Sequence, residues 1–369
     1  MAARAQRVRE RLQSLLEAGV RDGVFPGAVA ACAWWNTTAF MEIGVAAGEL
    51  EPGGLEVTLD TVYDLASLTK PFVALSALRL AQLGLVSLEV PVARYLPELS
   101  DTLGGQATLE ALLSHRAGLS PWGGLFREIP GALGSAEARR FMLREAASRP
   151  DPSAKASGSV YSDLGYLVAG EALSRAAGRS LDAIVREQVT VPLCIADGVF
   201  YAAALPPRAR TELEAKVAPT EACDFRGRLV RGEVHDENCA AFGGIAGHAG
   251  LFGDARSVLH LGLSVLDVLH GRSSWLHRDR LTWALRPREG GGHVVGWDTK
   301  SEVGSSAGTR LSASSFGHLG FTGTSIWCDP ERQLCVVLVS NRVHPSRENI
   351  LIRTLRPAFH DAAVEVLEG

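Results

Sequence analysis

The chain reads as an α+β protein in which one antiparallel β-sheet, covered by N- and C-terminal helices, carries a mainly helical segment inserted between its strands. Three observations predict this. Runs rich in β-branched and aromatic residues sit at the two ends of the sequence. Between Leu85 and about Leu269 the pattern changes to short helices punctuated by Gly and Pro. Both termini offer helical stretches with a face to bury on a sheet. The expected division is a discontinuous sheet domain, 1–84 with 270–369, and a mainly helical insertion, 85–269.

In chain order, Arg4 to Ala18 is amphipathic through Val8, Leu12, Leu15 and Leu16, and Gly19 is placed to close it. Gly27 to Trp35 and Phe40 to Val45, joined across Asn36-Thr37-Thr38, predict an antiparallel hairpin. Adjacent Trp34 and Trp35 must then face opposite sides of the sheet. Val62-Tyr63-Asp64 is a short extended entry to the next helix. Within the insertion, Thr108 caps a helix ending near His115, and Ser135 opens one that stops before Pro150. Ser180 opens another reaching Val189, and Asp254 caps the last. Val294 to Trp297, Phe316 to Leu319, Thr324 to Cys328 and Leu334 to Ser340 return to strand patterns, and Asn349 to Val366 is a closing helix.

The stretch Asp64-Leu65-Ala66-Ser67-Leu68-Thr69-Lys70 runs into an apolar segment, Pro71 to Leu83, broken only by Ser76, Arg79 and Gln82. Pro71 is tolerated only near a helix start, so the helix begins close to Ser67, and Gly84 is positioned to end it. Unpartnered N–H groups and the positive end of the helix dipole then surround the Ser67 hydroxyl, favouring negative charge beside it. Lys70 lies three residues on, on the same face. A Ser–x–x–Lys spacing alone arises often by chance, and a Ser at a helix start is usually a cap. A lysine heading an apolar helix is costly unless paired or used, however, and a hydroxyl beside an amine of lowered pKa forms a nucleophile with its base.

Two further stretches complete a candidate site. Gly158 to Tyr166 is a turn entering an apolar helix, where Ser162 or Asp163 can serve as N-cap. Used functionally, the turn sets the Tyr161 phenol and the Asp163 carboxylate on one side, where a phenol beside a lysine passes a proton. Phe316 to Ser325 is a glycine-rich strand, as expected where another backbone or a ligand lies close. Such a strand beside a cleft offers an N–H to a substrate carbonyl oxygen, completing an oxyanion hole with the N–H of Ser67.

Together these stretches resemble the serine β-lactamase and penicillin-binding protein superfamily, especially its class C-like branch of esterases, D-aminopeptidases and related hydrolases. The resemblance covers most of the chain. S-x-x-K matches Ser67-Leu68-Thr69-Lys70, Y-x-N matches Tyr161-Ser162-Asp163, and K-T-G or H-x-G matches His318-Leu319-Gly320. Thr108 to Leu119 and Gly243 to Phe252 are similar to segments that border the family's site. The resemblance implies the β-lactamase/transpeptidase-like fold and an acyl-enzyme on Ser67. It further implies that Lys70 and Tyr161 share general-base and proton-relay work, and that the N–H groups of Ser67 and Phe321 form the oxyanion hole. Asp163, His318 and Gly320 would line the substrate site.

Two departures matter. His318 replaces a lysine and is largely neutral near pH 7, while Leu319 lacks a hydroxyl, so recognition of an anionic β-lactam should be weak. Asp163 replaces an amide and only accepts when ionised. It can instead keep Lys70 charged, which would leave Tyr161 as the base, and from sequence both Lys70 and Tyr161 stay open for that role.

The chain has 369 residues and a formal net charge of −4 with both signs interspersed, which argues against nucleic acid or an anionic membrane as partner. No stretch is long enough to span a bilayer, and the start of the chain is amphipathic, unlike a signal peptide, so a cytoplasmic location is expected. The six cysteines have no paired spacing, which predicts buried free thiols. Val234 to Cys239 with His248 contains metal-ligand residue types without the spacing of a zinc motif, and a hydrogen-bonded loop is expected. Gly243 to Gly250 lacks the lysine of a phosphate loop. The expected protein is a serine hydrolase needing no cofactor and acting on a small ester or amide. A β-lactamase or D-Ala-D-Ala carboxypeptidase, a transacylase, and a non-catalytic penicillin-binding-like sensor are the alternatives.

Overall fold

A computed structural model describes residues 2–35, 40–154 and 158–368. Its chain begins with α1 (Ala2–Arg21), β1 (Gly27–Trp35), β2 (Phe40–Gly48), β3 (Tyr63–Asp64) and α2 (Thr69–Gln82). The middle of the chain holds α3 (Leu103–Gln106), α4 (Leu109–Leu113), α5 (Ala136–Ser148), α6 (Asp163–Ala177), α7 (Leu181–Val185), β4 (Val199–Tyr201) and α8 (Pro207–Glu214). It continues through β5 (Ala222–Cys223), β6 (Arg228–Leu229), α9 (Glu237–Ala241), β7 (Leu251–Gly253) and α10 (Ala255–Leu269). The chain ends with α11 (Arg278–Ala284), β8 (Asp298–Thr299), β9 (Phe316–Leu319), β10 (Ser325–Asp329), β11 (Leu334–Ser340) and α12 (Ile352–Glu368).

Strands from both ends form one six-stranded sheet in the order β2-β1-β11-β10-β9-β8, with the named neighbours β1–β2, β1–β11, β11–β10, β10–β9 and β9–β8 antiparallel. The period-two alternation divides each strand between two cores. Ala28, Ala30 and Cys32 of β1 join Trp327, Leu338 and the α1 and α12 residues Leu12, Leu16 and Phe359. Val29, Ala31 and Ala33 face Phe72 and Leu75 of α2 and Leu259 and Leu266 of α10. Trp34 packs with the terminal-helix cluster and Trp35 with the other, so the pair does straddle the sheet.

Several expectations are corrected. Gly19 does not end α1, which continues to Arg21 before Gly23 turns at φ +69°. A Cβ at Gly19 would sit 2.6 Å from the Phe25 ring, so this glycine permits close packing. Val294 to Trp297 is no strand. Val294 and Trp297 bond to each other across a tight turn, and the edge strand is β8, just beyond. The closing helix starts at Ile352, because the Asn349 amide donates to the carbonyls of Gly23 and Val24. The insertion holds more extended chain than its sequence suggests: β3-β7-β4 form a second sheet, pairing Asp64 with Phe252, and β5 pairs with β6. Cys194 is exposed, whereas the other cysteines are buried, and all are free. Ser180 makes no side-chain cap, and α7 widens into a π-helical turn over Arg186–Thr190. The expected hairpin turn Asn36-Thr37-Thr38 lies outside the described residues.

Caps at Thr108, Ser135 and Asp254 occur as expected, accepting from the N–H of Ala111, Ala138 and Ser257. The polar strip of α2 runs from buried Ser76 to half-buried Arg79 and Gln82, and each of the three finds a partner, although Arg79 Nε is left without one among the described residues. Ser76 donates to the Phe72 carbonyl, Arg79 to that of Trp275, and Gln82 accepts from the His277 N–H. Among the described residues no helix is long and apolar enough to cross a membrane.

Candidate active site

β3 delivers the chain to a 3-10 turn, Ala66–Leu68, that precedes α2. Ala66 adopts φ +48°, a costly conformation for a residue with a Cβ. The buried carboxylate of Asp64 holds it there: one oxygen accepts the Ala66 N–H at 2.8 Å, the other the His235 N–H at 2.6 Å. This strained turn lifts Ser67 into a cleft of about 650 Å³ and leaves it only partly covered. Lys70, one turn on, is wholly buried. Its Nζ donates to Ser67 Oγ at 2.8 Å and to the His248 carbonyl at 3.3 Å, and pairs with Asp163 Oδ1 at 2.7 Å.

The second stretch reaches the same point through its backbone. Val160 N–H donates to the His115 carbonyl, Ser162 N–H to His115 Nδ1, and Asp163 N–H to the Pro121 carbonyl. Ser162 is the N-cap, accepting from the Gly165 N–H, which frees Asp163 to turn toward Lys70. Lys70 Nζ stands 4.7 Å from the centre of the Tyr161 ring. The segment from Thr108 to Leu119 thus braces the site, as its sequence suggested.

On the third side, β9 extends beyond its two-residue partner β8, so Leu319, Gly320 and Phe321 face the cleft. A Cβ at Gly320 would fall 2.6 Å from the Leu65 carbonyl oxygen, so only glycine lets the chain just after β9 lie against the segment that leads to Ser67. Thr322 and Thr324 hydroxyls donate to the carbonyls of Asp64 and Leu65 and tie the two segments together. Among the described residues the Phe321 N–H has no hydrogen-bond partner, and Phe321 lines the cleft. Ser67, Tyr161, Asp163, His318, Gly320 and Phe321 all border this one cavity, with Lys70 beneath it. A more open groove of about 810 Å³ lies where α2 ends against α11 and includes no such set.

Electrostatics follow from burial. Desolvation lowers the Lys70 pKa and outweighs the opposing charge and hydrogen bond of Asp163. Burial, then the Asp163 charge, raises that of Tyr161 well above a normal phenol, against a hydrogen bond with Ser67. His318 is buried, its Nδ1 2.9 Å from the Leu319 carbonyl, and desolvation and Lys70 hold its pKa well below the usual imidazole range.

Further residues join the site. His115 and His293 flank Tyr161 with their rings tilted against it, centres 4.6 Å and 5.4 Å away. Burial lowers the His293 pKa to about 4 and raises that of nearby Asp298 to about 6. His248 is held by Asp236 at 2.9 Å, and His235 by Glu221 at 2.9 Å, so the 234–239 stretch is hydrogen-bonded as expected, although its second half is the start of α9 with Asp236 as N-cap and not a loop. His115 belongs to the 108–119 stretch already expected beside the site, whereas His293 sits in ordinary sequence and only the fold brings it there.

The Beta-lactamase family model matches residues 12–358. A putative D-alanyl-D-alanine carboxypeptidase of Escherichia coli (strain K12) is 28% identical over 311 residues, 79% of this chain and 71% of the relative. Among solved structures, EstCE1, a hydrolase with promiscuous acyltransferase activity, superposes with a TM-score of 0.74 at 20% identity, over 98% of this chain and 99% of that one. A class C beta lactamase from Rhodobacter sphaeroides gives 0.71 at 17% identity, over 98% and 100%. Both likenesses concern the fold.

Proposed function

The chain belongs to the beta-lactamase family of serine hydrolases, and from that premise we propose that it cleaves a small ester or amide through an acyl-enzyme on Ser67. The observation that carries the reading is Lys70: a wholly buried amine of lowered pKa, 2.8 Å from the Ser67 hydroxyl. The directions of the two shifts favour Lys70 over Tyr161 as base, since the lysine is moved toward its neutral form and the phenol away from phenolate.

In this reading the Ser67 proton passes to Lys70 Nζ as Oγ bonds to the substrate carbonyl carbon. The carbonyl oxygen takes the electron pair and is held by the N–H groups of Ser67 and Phe321. When the tetrahedral species collapses, the leaving group takes that proton by way of Tyr161. Water then attacks the acyl carbon, giving its proton to the same relay, and Ser67 is restored. Asp163 holds the lysine ammonium in place while each tetrahedral species stands, and Lys70 is neutral again in the acyl-enzyme.

The test is intact-mass analysis with peptide mapping after exposure to p-nitrophenyl esters, anilides and penicillins. The expected result is an acyl adduct on Ser67. Ser67→Ala should abolish ester turnover, and Lys70→Ala and Tyr161→Phe should each slow it on the order of a hundredfold or more. Full activity in Ser67→Ala rejects the mechanism. A second reading, the carboxypeptidase named for the curated relatives, is favoured by Arg353, an exposed guanidinium that lines the cleft and suits a terminal carboxylate. Release of D-alanine from a D-alanyl-D-alanine peptide would establish it.

A further inference from the structure

Arg356 of α12 is 7% exposed and, among the described residues, forms no ion pair. A buried guanidinium without a carboxylate is costly, and the groups that it does satisfy show its use. Its Nη2 donates to the Gly320 carbonyl at 2.6 Å and to the Thr324 carbonyl at 2.8 Å. These are the two ends of the turn between β9 and β10, which the Gly320 N–H closes onto the Thr324 carbonyl at 2.7 Å. Alongside, Arg342 Nε donates to the Phe321 carbonyl at 2.7 Å, and its guanidinium lies 4.4 Å from the centre of the Phe321 ring.

The Gly320 carbonyl and the Phe321 N–H belong to one peptide unit. Because that unit is planar and trans, a carbonyl turned toward α12 turns the N–H to the opposite side. A charged donor on the oxygen also withdraws electrons through the amide, which makes the N–H a stronger donor. The Gly320 carbonyl accepts from the Gly323 N–H as well, at 3.2 Å, which fixes its direction further.

We propose that Arg356, on the α12 wall of the cleft, is a positioning residue of the oxyanion hole, orienting and polarising the Gly320–Phe321 peptide through its carbonyl oxygen. The inference rests on the reading of the Phe321 N–H as an oxyanion donor. It assigns catalytic consequence to a helix that the site motifs do not include.

The experiment compares wild type, Arg356→Met and Arg356→Lys on p-nitrophenyl butyrate and on phenylboronic acid, whose tetrahedral serine adduct mimics the oxyanion. Removing an oxyanion donor outright costs about a hundred- to a thousandfold in kcat, so losing its support should cost about ten- to a hundredfold. KM should stay within about threefold, and the boronate inhibition constant should rise by the factor that kcat/KM falls. Arg356→Lys, keeping the charge but not the two-carbonyl reach, should fall between wild type and Arg356→Met. A kcat within twofold of wild type in Arg356→Met, or a lost kcat with unchanged boronate affinity, overturns the proposal. If Arg356→Met does not fold, Arg356→Lys decides on the same two criteria. A wild-type enzyme that forms no Ser67 adduct refutes the functional reading instead.

Discussion

Lys70 Nζ stands 2.7 Å from Asp163 Oδ1, although the two residues belong to helices that are ninety-odd positions apart in sequence. The pair closes the floor of the cleft, and it sets a conflict: burial drives the lysine toward its neutral form while the aspartate holds its proton on. Catalysis by Lys70 depends on burial winning. On the proposed mechanism Asp163 would therefore tune the pH at which the site works.

Asp163→Asn removes the charge that favours the ammonium, so the Lys70 pKa should fall further. The acidic limb of the kcat/KM profile should move to lower pH, whatever happens to the absolute rate. The stability sign is consistent. A base with a depressed folded pKa loses stability as pH falls from its unfolded pKa to its folded one, and without Asp163 that loss should continue to lower pH. A pH–rate series on a p-nitrophenyl ester checks this. A limb that stays in place or moves to higher pH would show that Lys70 is not the titrating base.

The fold was legible because its signals are local and strong: β-branched runs at both ends, side-chain caps at Thr108, Ser135 and Asp254, and an apolar helix after Ser67. The three motif stretches were legible for the same reason, since each has the residue types its chemistry needs. What stayed hidden depends on packing at long range. Asp64 reads as the end of a short strand, yet its carboxylate holds both Ala66 and His235. Arg356 reads as one polar residue of a closing helix, and nothing in its neighbourhood says that it reaches Gly320. β4 and β7 are three residues each and have meaning only once paired with each other and with β3. Gly19 shows the converse error: a glycine at a plausible helix end proved to be a packing contact with Phe25.

Asp236 should dominate one part of the acid stability. Burial alone would raise its pKa, but the charge and hydrogen bond of His248 and the Cys239 N–H outweigh it and hold the group at about 2. A depressed carboxyl contributes stability above its unfolded pKa of about 4, and that contribution is lost as pH falls toward 2. The whole effect is on the order of 2 kcal/mol. Urea unfolding near pH 5 and near pH 2.5 should show a smaller acid loss in Asp236→Asn than in wild type. Equal losses in the two proteins would remove Asp236 from the account.

The rim of the cleft predicts which acyl groups are preferred. Trp122, Phe321 and Ile350 all line it, and they are 45%, 49% and 55% exposed, an unusual amount of large apolar surface to leave around one nucleophile. An acyl chain resting there removes its own apolar area and theirs from water. A fully buried methylene contributes about 0.8 kcal/mol, or about fourfold in kcat/KM, and an open rim should deliver about half of that energy. From p-nitrophenyl acetate to hexanoate, kcat/KM should therefore rise about twofold per added methylene. Trp122→Ala should flatten the rise, losing severalfold on hexanoate and little on acetate, because the short acyl group does not reach the indole. If wild type is indifferent to chain length, the apolar rim serves something other than the acyl group. If Trp122→Ala lowers acetate and hexanoate equally, Trp122 acts through the shape of the Pro121 turn that receives the Asp163 N–H, and the chain-length preference has to be assigned to Phe321 and Ile350.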